Sequence, residues 1–317
     1  MIREVGPRDG LQGEVPVAPE TRAGLVDALV AVGCRRVEAV SFVSEKAVPA
    51  MADASQVVAA LKLRHECRLT ALVPNVRGAE AALASGVDEI TVTVAASLEY
   101  NRRNVNRTIE ESVDEIDRVC ALAEAAGVPV DAVISCAFGS PYEGDIAAPD
   151  VAELGARLRE AGAADLTLAD TTGMATPRVL SEVLELTGTG VGLHLHETRG
   201  TALLNAYVAL QAGVVRFDTA VGGLGGSPFA TGAGGNLATE DLVALLDDMG
   251  IETGIDLDGL LEVATKVATI VGHAVPSRTS AAGPRNRLRR AERLGNAAVG
   301  DSAGDSTSAN ALEGRHA

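Results

Sequence analysis

The sequence has no tryptophan, and aromatic residues make up only 2% of its 317 positions, so aliphatic side chains must fill most of any core. It also has no Cys-x-x-Cys pair among its four cysteines, which excludes the common zinc and thiol-redox motifs. We therefore expect reduced, buried thiols and a cytoplasmic protein. No apolar run approaches the roughly 20 residues of a membrane helix, and charged residues interrupt the N-terminus, so neither a membrane partner nor a signal peptide is expected.

Basic charge is also scarce. The chain has 27 Lys and Arg against 43 Asp and Glu, which gives a net charge of −16. A surface with this balance repels the phosphates of DNA and RNA, so a nucleic-acid partner is not expected.

What the chain does have is a regular alternation of β-rich and amphipathic segments. Eight apolar runs are strand candidates, and the segments that separate them include six clear helix candidates, many of which end at a glycine. The strand candidates are residues 2–5, 36–42, 68–73, 89–95, 129–137, 166–170, 190–196 and 216–221. The helix candidates are residues 21–32, 55–63, 108–126, 149–161, 176–186 and 200–211.

Eight βα units in about 250 residues are typical of an α/β (β/α)8 TIM barrel, whereas a doubly wound open sheet rarely reaches eight regular units. An extra helix is predicted at 256–271, so the barrel domain with its C-terminal helical segment spans residues 1–284. Residues 285–317 are rich in Arg, then in Ser, Gly, Asn and Asp, and are predicted to form a disordered tail.

His194 and His196 are two positions apart near the end of the seventh strand candidate. Alternate residues of a strand face the same side, so both imidazoles should face one space at the mouth of the barrel. Either histidine alone would more often be a hydrogen-bonded core residue. As a pair at a strand end, they indicate a metal site.

Arg8 and Asp9 follow the first strand, in the segment Gly-Pro-Arg-Asp-Gly. A simple turn explains the proline, aspartate and glycine, but it does not explain the arginine. Since the ends of all strands meet at one face of a barrel, Asp9 is expected to join the two histidines on one cation.

A glycine-rich stretch, 222–236, follows the eighth strand and could close over a site. It has neither a Walker lysine nor the placement of a dinucleotide fingerprint. Asn236 at its end has two interpretations: it caps the helix predicted at 237–249, or its side-chain oxygen is a metal ligand.

Two more carboxylates, Glu38 and Asp170, lie in or at the end of strands, where burial is costly unless the charge is paired. Each either supports a site or forms a structural ion pair with Arg8 or another arginine. Imidazole, carboxylate and amide ligands suit Mg²⁺ or Mn²⁺, or else Zn²⁺. A cation that polarises a hydroxy acid, next to an arginine that can neutralise an enolate, indicates a retro-aldol or retro-Claisen lyase.

Six segments together resemble one family. They are EVGPRDGLQ (4–12), SFVS (41–44), VPAM (48–51), SCAFGSPYEG (135–144), DTTG (170–173) and GLGGSPFATGAGGNLATED (223–241). Over about residues 2–275 the chain is similar to the 3-hydroxy-3-methylglutaryl-CoA (HMG-CoA) lyases of the TIM-barrel metallolyase superfamily. The histidine pair fits the whole superfamily, whereas SFVS, PYEG and GNLATED favour the lyase branch.

The resemblance implies a specific set of roles. Mg²⁺ or Mn²⁺ would be held by Asp9, His194, His196 and Asn236. Arg8 would stabilise the enolate of acetyl-CoA, and Asp9 or His194 would take the hydroxyl proton. The residues implied to support the acyl group or the metal are Gln12, Glu38, Ser41, Asp170, Thr171 and Glu240. An acyl-CoA substrate and a homodimer are further expectations.

The chain departs from the family pattern at three positions. Ser227 and Ser140 stand where the family has cysteines, and Glu197 stands where it usually has aspartate. Because a serine hydroxyl ionises far less readily than a thiol, Ser227 should transfer a proton more slowly or relay it through water. The acyl substrate could therefore be a relative such as citramalyl-CoA. A condensing synthase and a weakly active acyl-CoA-binding paralogue are the alternative interpretations.

Overall fold

A computed structural model describes residues 1–226 and 234–285. Its centre is a closed barrel of eight parallel strands in sequential order. The strands are β1 (Ile2–Glu4), β2 (Arg36–Ser41), β3 (Arg68–Leu72), β4 (Glu89–Ala95), β5 (Val130–Ser135), β6 (Asp165–Ala169), β7 (Gly192–His194) and β8 (Arg216–Thr219). The barrel closes where Ile2 of β1 pairs with Phe217 of β8. The predicted TIM barrel is confirmed, with each strand at or near its expected place.

Helices surround this barrel. They are α1 (Pro19–Ala31), α2 (Ala54–Ala60), α3 (Val76–Ala84), α4 (Leu98–Val105), α5 (Ile109–Ala125), α6 (Ala148–Glu160), α7 (Pro177–Thr187), α8 (Ala202–Ala212), α9 (Thr239–Asp248), α10 (Leu257–Val271) and α11 (Arg278–Ala282). The expected extra helix is α10. Among residues 1–226 and 234–285, each helix is too short or too polar to span a bilayer.

Three helices missing from the sequence prediction, α3, α4 and α11, begin at side-chain caps; Ser277 is the cap of α11. Asn75 accepts a hydrogen bond from the backbone N–H of Gly78, and Ser97 accepts one from that of Tyr100. Arg102 lies in α4, which follows β4. Arg103, in the same helix, is an i,i+4 partner of Glu99.

The apolar core lies between the barrel and the helices, where outward-facing strand residues such as Leu69, Ile90 and Leu193 are fully buried. The inside of the barrel is different, because it is ionic. Arg3 lies there between Asp131 and Asp218. Burial inside the barrel is therefore no argument against polar residues near the histidines.

The first residue of the predicted tail, Arg285, is among the described residues. Its guanidinium pairs with Asp248 of α9 at 2.7 Å. Residues 286–317 lie outside the described residues, so the rest of the prediction stays a prediction.

Candidate metal centre

The loop after β1 is a π-helical turn, Gly6–Gly10, that turns back across the mouth of the barrel. Pro7 suits its first turn because a proline needs no hydrogen-bond acceptor there. The backbone N–H groups of Asp9 and Gly10 both donate to the carbonyl of Val5, at 2.7 and 3.3 Å. This turn buries Arg8 and Asp9, and it points both side chains into the site.

Glu4 fixes this turn to the neighbouring loop. Its Oε1 accepts from the backbone N–H of Gly6 at 2.8 Å and from that of Val221, after β8, at 2.9 Å. Thr239 lies against the other carboxylate oxygen. Because the side chain is fully buried, the pKa of Glu4 rises to about 7 in spite of these hydrogen bonds. Sequence reasoning assigned Glu4 no role, although a carboxylate inside a predicted barrel strand was a usable signal.

The two histidines face each other as their spacing predicts. Strand β7 ends at His194, and His196 forms an isolated antiparallel bridge with Asn236. The Nε2 atoms of His194 and His196 are 3.1 Å apart, and both side chains are buried. Two lone-pair nitrogens that converge on one point are a common arrangement for a metal ion.

Asp9 completes this cluster. One carboxylate oxygen lies 3.9 Å from His194 Nε2, and single ligand atoms of Asp9, His194 and His196 all fall within 4.8 Å of one another. Burial alone would raise the pKa of Asp9, but the charges of Arg8 and the histidines lower it to about 2. Burial and the neighbouring His194 lower the pKa of His196 to about 4. Both side chains are thus in the forms that bind cations, a carboxylate and a neutral imidazole.

Asn236 joins the cluster, and its interpretation as a helix cap is wrong. Helix α9 begins at Thr239 and has Ala238 at its cap position. The amide nitrogen of Asn236 instead donates to Asp9 Oδ2 at 2.6 Å and to the carbonyl of Leu224 at 2.9 Å. Its amide oxygen is buried without a hydrogen-bond partner. An orphaned acceptor beside a carboxylate and two imidazoles is what a hard divalent cation would satisfy, so the donor set fits Mg²⁺ or Mn²⁺.

The far nitrogens of both imidazoles are also held. Asp218 of β8 lies 3.3 Å from Nδ1 of His194, and the carbonyl of Gly234 lies 3.0 Å from Nδ1 of His196. Burial acts to lower the pKa of His194, but the hydrogen bond to Asp218 and the nearby charges raise it. Sequence reasoning missed Asp218, although a charged residue inside the eighth strand was visible.

Arg8 lies between two carboxylates. Its guanidinium donates to Asp9 Oδ1 at 2.6 Å and forms a short contact with Glu38, which is completely buried. The structure therefore shows the ion pair that was one of the two readings of Glu38. Gln12 donates to Asp9 Oδ1 at 3.1 Å and lies at the edge of the same group. Arg8 is thus a fixed positive charge next to the candidate metal site.

A β-bulge brings Ser41 to the side of the strand that Glu38 faces. Glu38 pairs with Thr70, but two residues later Val40 pairs with Ala71, so one residue of β2 is extra. Without it, two positions three residues apart would face opposite sides. The hydroxyl of Ser41 is buried and has no hydrogen-bond partner, as expected of a group that faces a ligand site.

Three other predicted site residues hold loops in this structure. Asp170 accepts from the N–H of Ala175 at 2.9 Å, the hydroxyl of Thr171 accepts from the N–H of Cys136 at 3.0 Å, and Glu240 accepts from the N–H of Gly222 at 3.0 Å. The second carboxylate oxygen of Asp170 is buried and unpartnered, and burial raises the pKa of this residue to about 7. These contacts are structural, so roles toward a substrate stay predictions for all three.

The three departures from the family pattern fall in different surroundings. Ser227 lies outside the described residues. The hydroxyl of Ser140 donates to that of Ser97 at 3.0 Å, in a buried pair. Glu197 accepts from the N–H of Ala202 at 2.8 Å, and so holds the start of α8. The carboxylate of Glu197 therefore stabilises the loop between β7 and α8.

Comparison with known proteins gives one consistent family. The family model described as HMGL-like matches residues 1–267. The mitochondrial hydroxymethylglutaryl-CoA lyase of Gallus gallus is 41% identical over 290 residues, which cover 90% of this chain and 97% of that protein. The cytoplasmic 3-hydroxy-3-methylglutaryl-CoA lyase of Danio rerio is 40% identical over 291 residues, covering 90% of this chain and 87% of the relative.

Solved structures agree with this result. An HMG-CoA lyase from Acinetobacter baumannii, in complex with coenzyme A and 3-methylmalate, superposes with a TM-score of 0.85 at 37% identity, covering 90% of this chain and 95% of that one. A hydroxymethylglutaryl-CoA lyase from Pseudomonas aeruginosa gives a TM-score of 0.84 at 39% identity, covering 89% of this chain and 96% of its own.

Proposed function

Because the chain belongs to the HMGL-like family, we propose that it is a carbon–carbon lyase that cleaves HMG-CoA to acetyl-CoA and acetoacetate with the help of a divalent cation. The observation that carries this proposal is the buried group of Asp9, His194 and His196, whose ligand atoms lie within 4.8 Å of one another. Arg8 is ion-paired to the first of these residues. A metal site that adjoins a fixed guanidinium suits a reaction in which an enolate develops.

The cation is Mg²⁺ or Mn²⁺, held by Asp9, His194, His196 and the amide oxygen of Asn236. Oxygen and imidazole donors without any thiolate support this choice over a structural zinc site. When bound, the cation polarises the hydroxyl and carbonyl oxygens of the substrate.

The residues of the chain carry the remaining steps. The proton of the substrate's C3 hydroxyl passes to Asp9, because Nδ1 of His194 faces Asp218 and its Nε2 would hold the cation. The C3 oxygen becomes the ketone of acetoacetate. The bond between C2 and C3 breaks, and its electron pair moves into the thioester as an enolate. Arg8, held by Asp9 and Glu38, stabilises the enolate oxygen. Protonation of the enolate carbon yields acetyl-CoA, and Ser227 supplies this proton where the family has a cysteine.

The acyl-CoA substrate is bound at the mouth of the barrel, where the strands end. The proposed contacts of its acyl part are Arg8, Gln12, Ser41, Asp170, Thr171 and Glu240. The free hydroxyl of Ser41 and the free carboxylate oxygen of Asp170 support two of these assignments. The complex of the Acinetobacter lyase with coenzyme A supports the substrate class.

We also propose a cytoplasmic homodimer. Four free cysteines are compatible with a reducing compartment. The curated relatives include both cytoplasmic and mitochondrial lyases, so the compartment needs its own measurement.

A substrate panel tests the activity. The purified chain, saturated with Mg²⁺ or Mn²⁺, is offered HMG-CoA and citramalyl-CoA, and the release of acetyl-CoA is followed. We expect cleavage of HMG-CoA with the higher kcat/KM. A preference for citramalyl-CoA would keep the lyase chemistry but change the substrate. Failure to cleave either thioester would contradict the proposal.

A further inference from the structure

A buried row of charges runs inside the barrel and ends at a candidate metal ligand. Arg3, only 3% exposed, donates two hydrogen bonds to Asp218: Nε to Oδ1 at 2.8 Å and Nη2 to Oδ2 at 2.6 Å. Its third nitrogen donates to Asp131 at 2.7 Å, and Asp131 also accepts from the hydroxyl of Thr167 at 2.9 Å. The two parallel hydrogen bonds from Arg3 fix the plane of the Asp218 carboxylate.

The carboxylate of Asp218 then meets His194. Its Oδ2 atom lies 3.3 Å from Nδ1 of the imidazole. A carboxylate paired with a guanidinium is ionised, so toward the imidazole it can only accept a hydrogen bond. The proton of a neutral His194 must therefore sit on Nδ1, which leaves the lone pair on Nε2. That atom faces His196 Nε2 at 3.1 Å and Asp9 at 3.9 Å.

We propose that Asp218, locked in place by Arg3, is a positioning residue that fixes the tautomer and ring orientation of His194 for binding a cation. The inference rests on the proposed metal site and adds to it the residues that prepare it. Asp218 touches neither the cation nor the substrate. Carboxylates that hold the second nitrogen of a ligand histidine typically contribute 10- to 100-fold to metal affinity.

The decisive variant is Asp218→Asn. Asparagine keeps the size of the side chain but has one acceptor oxygen where Asp218 offers Arg3 two. With that oxygen on Arg3 Nε, its amide nitrogen takes the place of Oδ2 and presents a donor to His194 Nδ1. The imidazole then shifts its proton to Nε2, and the ligand nitrogen is blocked. Mn²⁺ affinity, measured without substrate by electron paramagnetic resonance, should fall by about 10- to 100-fold.

Asp131→Asn is the matched control. It removes another carboxylate partner of Arg3, from the same buried row, but no contact joins Asp131 to His194. This variant should lower the melting temperature and leave the Mn²⁺ affinity close to that of the wild type. A purely structural role of Asp218 would make the two variants behave alike.

The tautomer gives a second readout that needs neither activity nor metal. In ¹⁵N NMR spectra of the metal-free protein at alkaline pH, His194 should be the Nδ1–H form in the wild type and the Nε2–H form in Asp218→Asn. If the wild type has the Nε2–H form, or if Asp218→Asn binds Mn²⁺ as tightly as the wild type, the inference is overturned. If the variant does not fold, the wild-type tautomer decides. If the wild type binds no Mn²⁺, the proposed metal site is wrong. The tautomer of His194 then still tests the role of Asp218.

Discussion

Arg8 is shared between the carboxylates of Asp9 and Glu38, and both contacts are buried. A planar guanidinium can hold two carboxylates at once, whereas the ammonium of lysine is a single point of charge. For this reason the site depends on an arginine and not merely on a positive charge.

We predict that Arg8→Lys lowers kcat for HMG-CoA cleavage by about 100-fold, because the enolate loses a fixed donor. Arg216→Lys is the matched control, since Arg216 pairs with Asp165 at the opposite end of the barrel. Steady-state kinetics of both variants measure the effect. Equal losses of kcat would mean that Arg8 acts through stability alone.

Glu4 is predicted to make stability depend on pH. Its pKa is about 7 in the folded chain against an ordinary 4.5, so the folded state holds a proton that the unfolded state releases between these values. The free energy of unfolding should therefore fall as pH rises from 4.5 to 7, by at most about 3 kcal/mol.

Glu4→Gln imitates the protonated side chain and removes this dependence. Urea unfolding at several pH values should show the variant gaining stability relative to the wild type as pH rises through this range. A difference between the two proteins that stays constant with pH would contradict the raised pKa.

At the scale of elements, the segment after β8 carries Asn236 to the site only because Gly225 leaves room. Gly225 has φ +96°, and a Cβ there would lie 2.5 Å from the amide nitrogen of Asn236 and 3.1 Å from Asp9 Oδ2. Gly127, which follows α5, has φ +69° and open space around it. The two glycines share a left-handed backbone conformation but differ in their surroundings.

Gly225→Ala and Gly127→Ala should each lose about 1–2 kcal/mol of stability, because both adopt the left-handed conformation. Only Gly225→Ala should also displace Asn236 and weaken Mn²⁺ binding, by about 10-fold or more. Mn²⁺ titration beside thermal unfolding separates the two effects. Normal affinity in Gly225→Ala would argue against Asn236 as a ligand.

Some features of these elements could be predicted from the sequence, and others could not. Strand positions followed from apolar runs, and the histidine pair followed from the two-residue period of a strand. The bulge after Glu38 leaves no such pattern, so the shared orientation of Glu38 and Ser41 was not predictable. Helix α4 was missed because its apolar face is small and its start depends on one serine cap.

For the whole molecule, closure of the barrel is what unites residues that are far apart in the chain. Asp9 and Asn236 are separated by 227 positions, yet their side chains are 2.6 Å apart. The rule that strand ends share one face was sufficient to predict this meeting. The ionic interior around Arg3 was not predictable. The ion pairs of Arg3 on β1 with Asp131 on β5 and Asp218 on β8 depend on the exact register of the closed sheet.

The most direct test of the whole account is the metal dependence of HMG-CoA cleavage. The protein is stripped with a chelator, and acetyl-CoA release is measured while Mn²⁺ is added back. We predict no cleavage by the stripped protein and full recovery at one Mn²⁺ per chain, with no recovery in Asp9→Asn. Cleavage at the full rate by the stripped protein, or none after Mn²⁺ is restored, would contradict it.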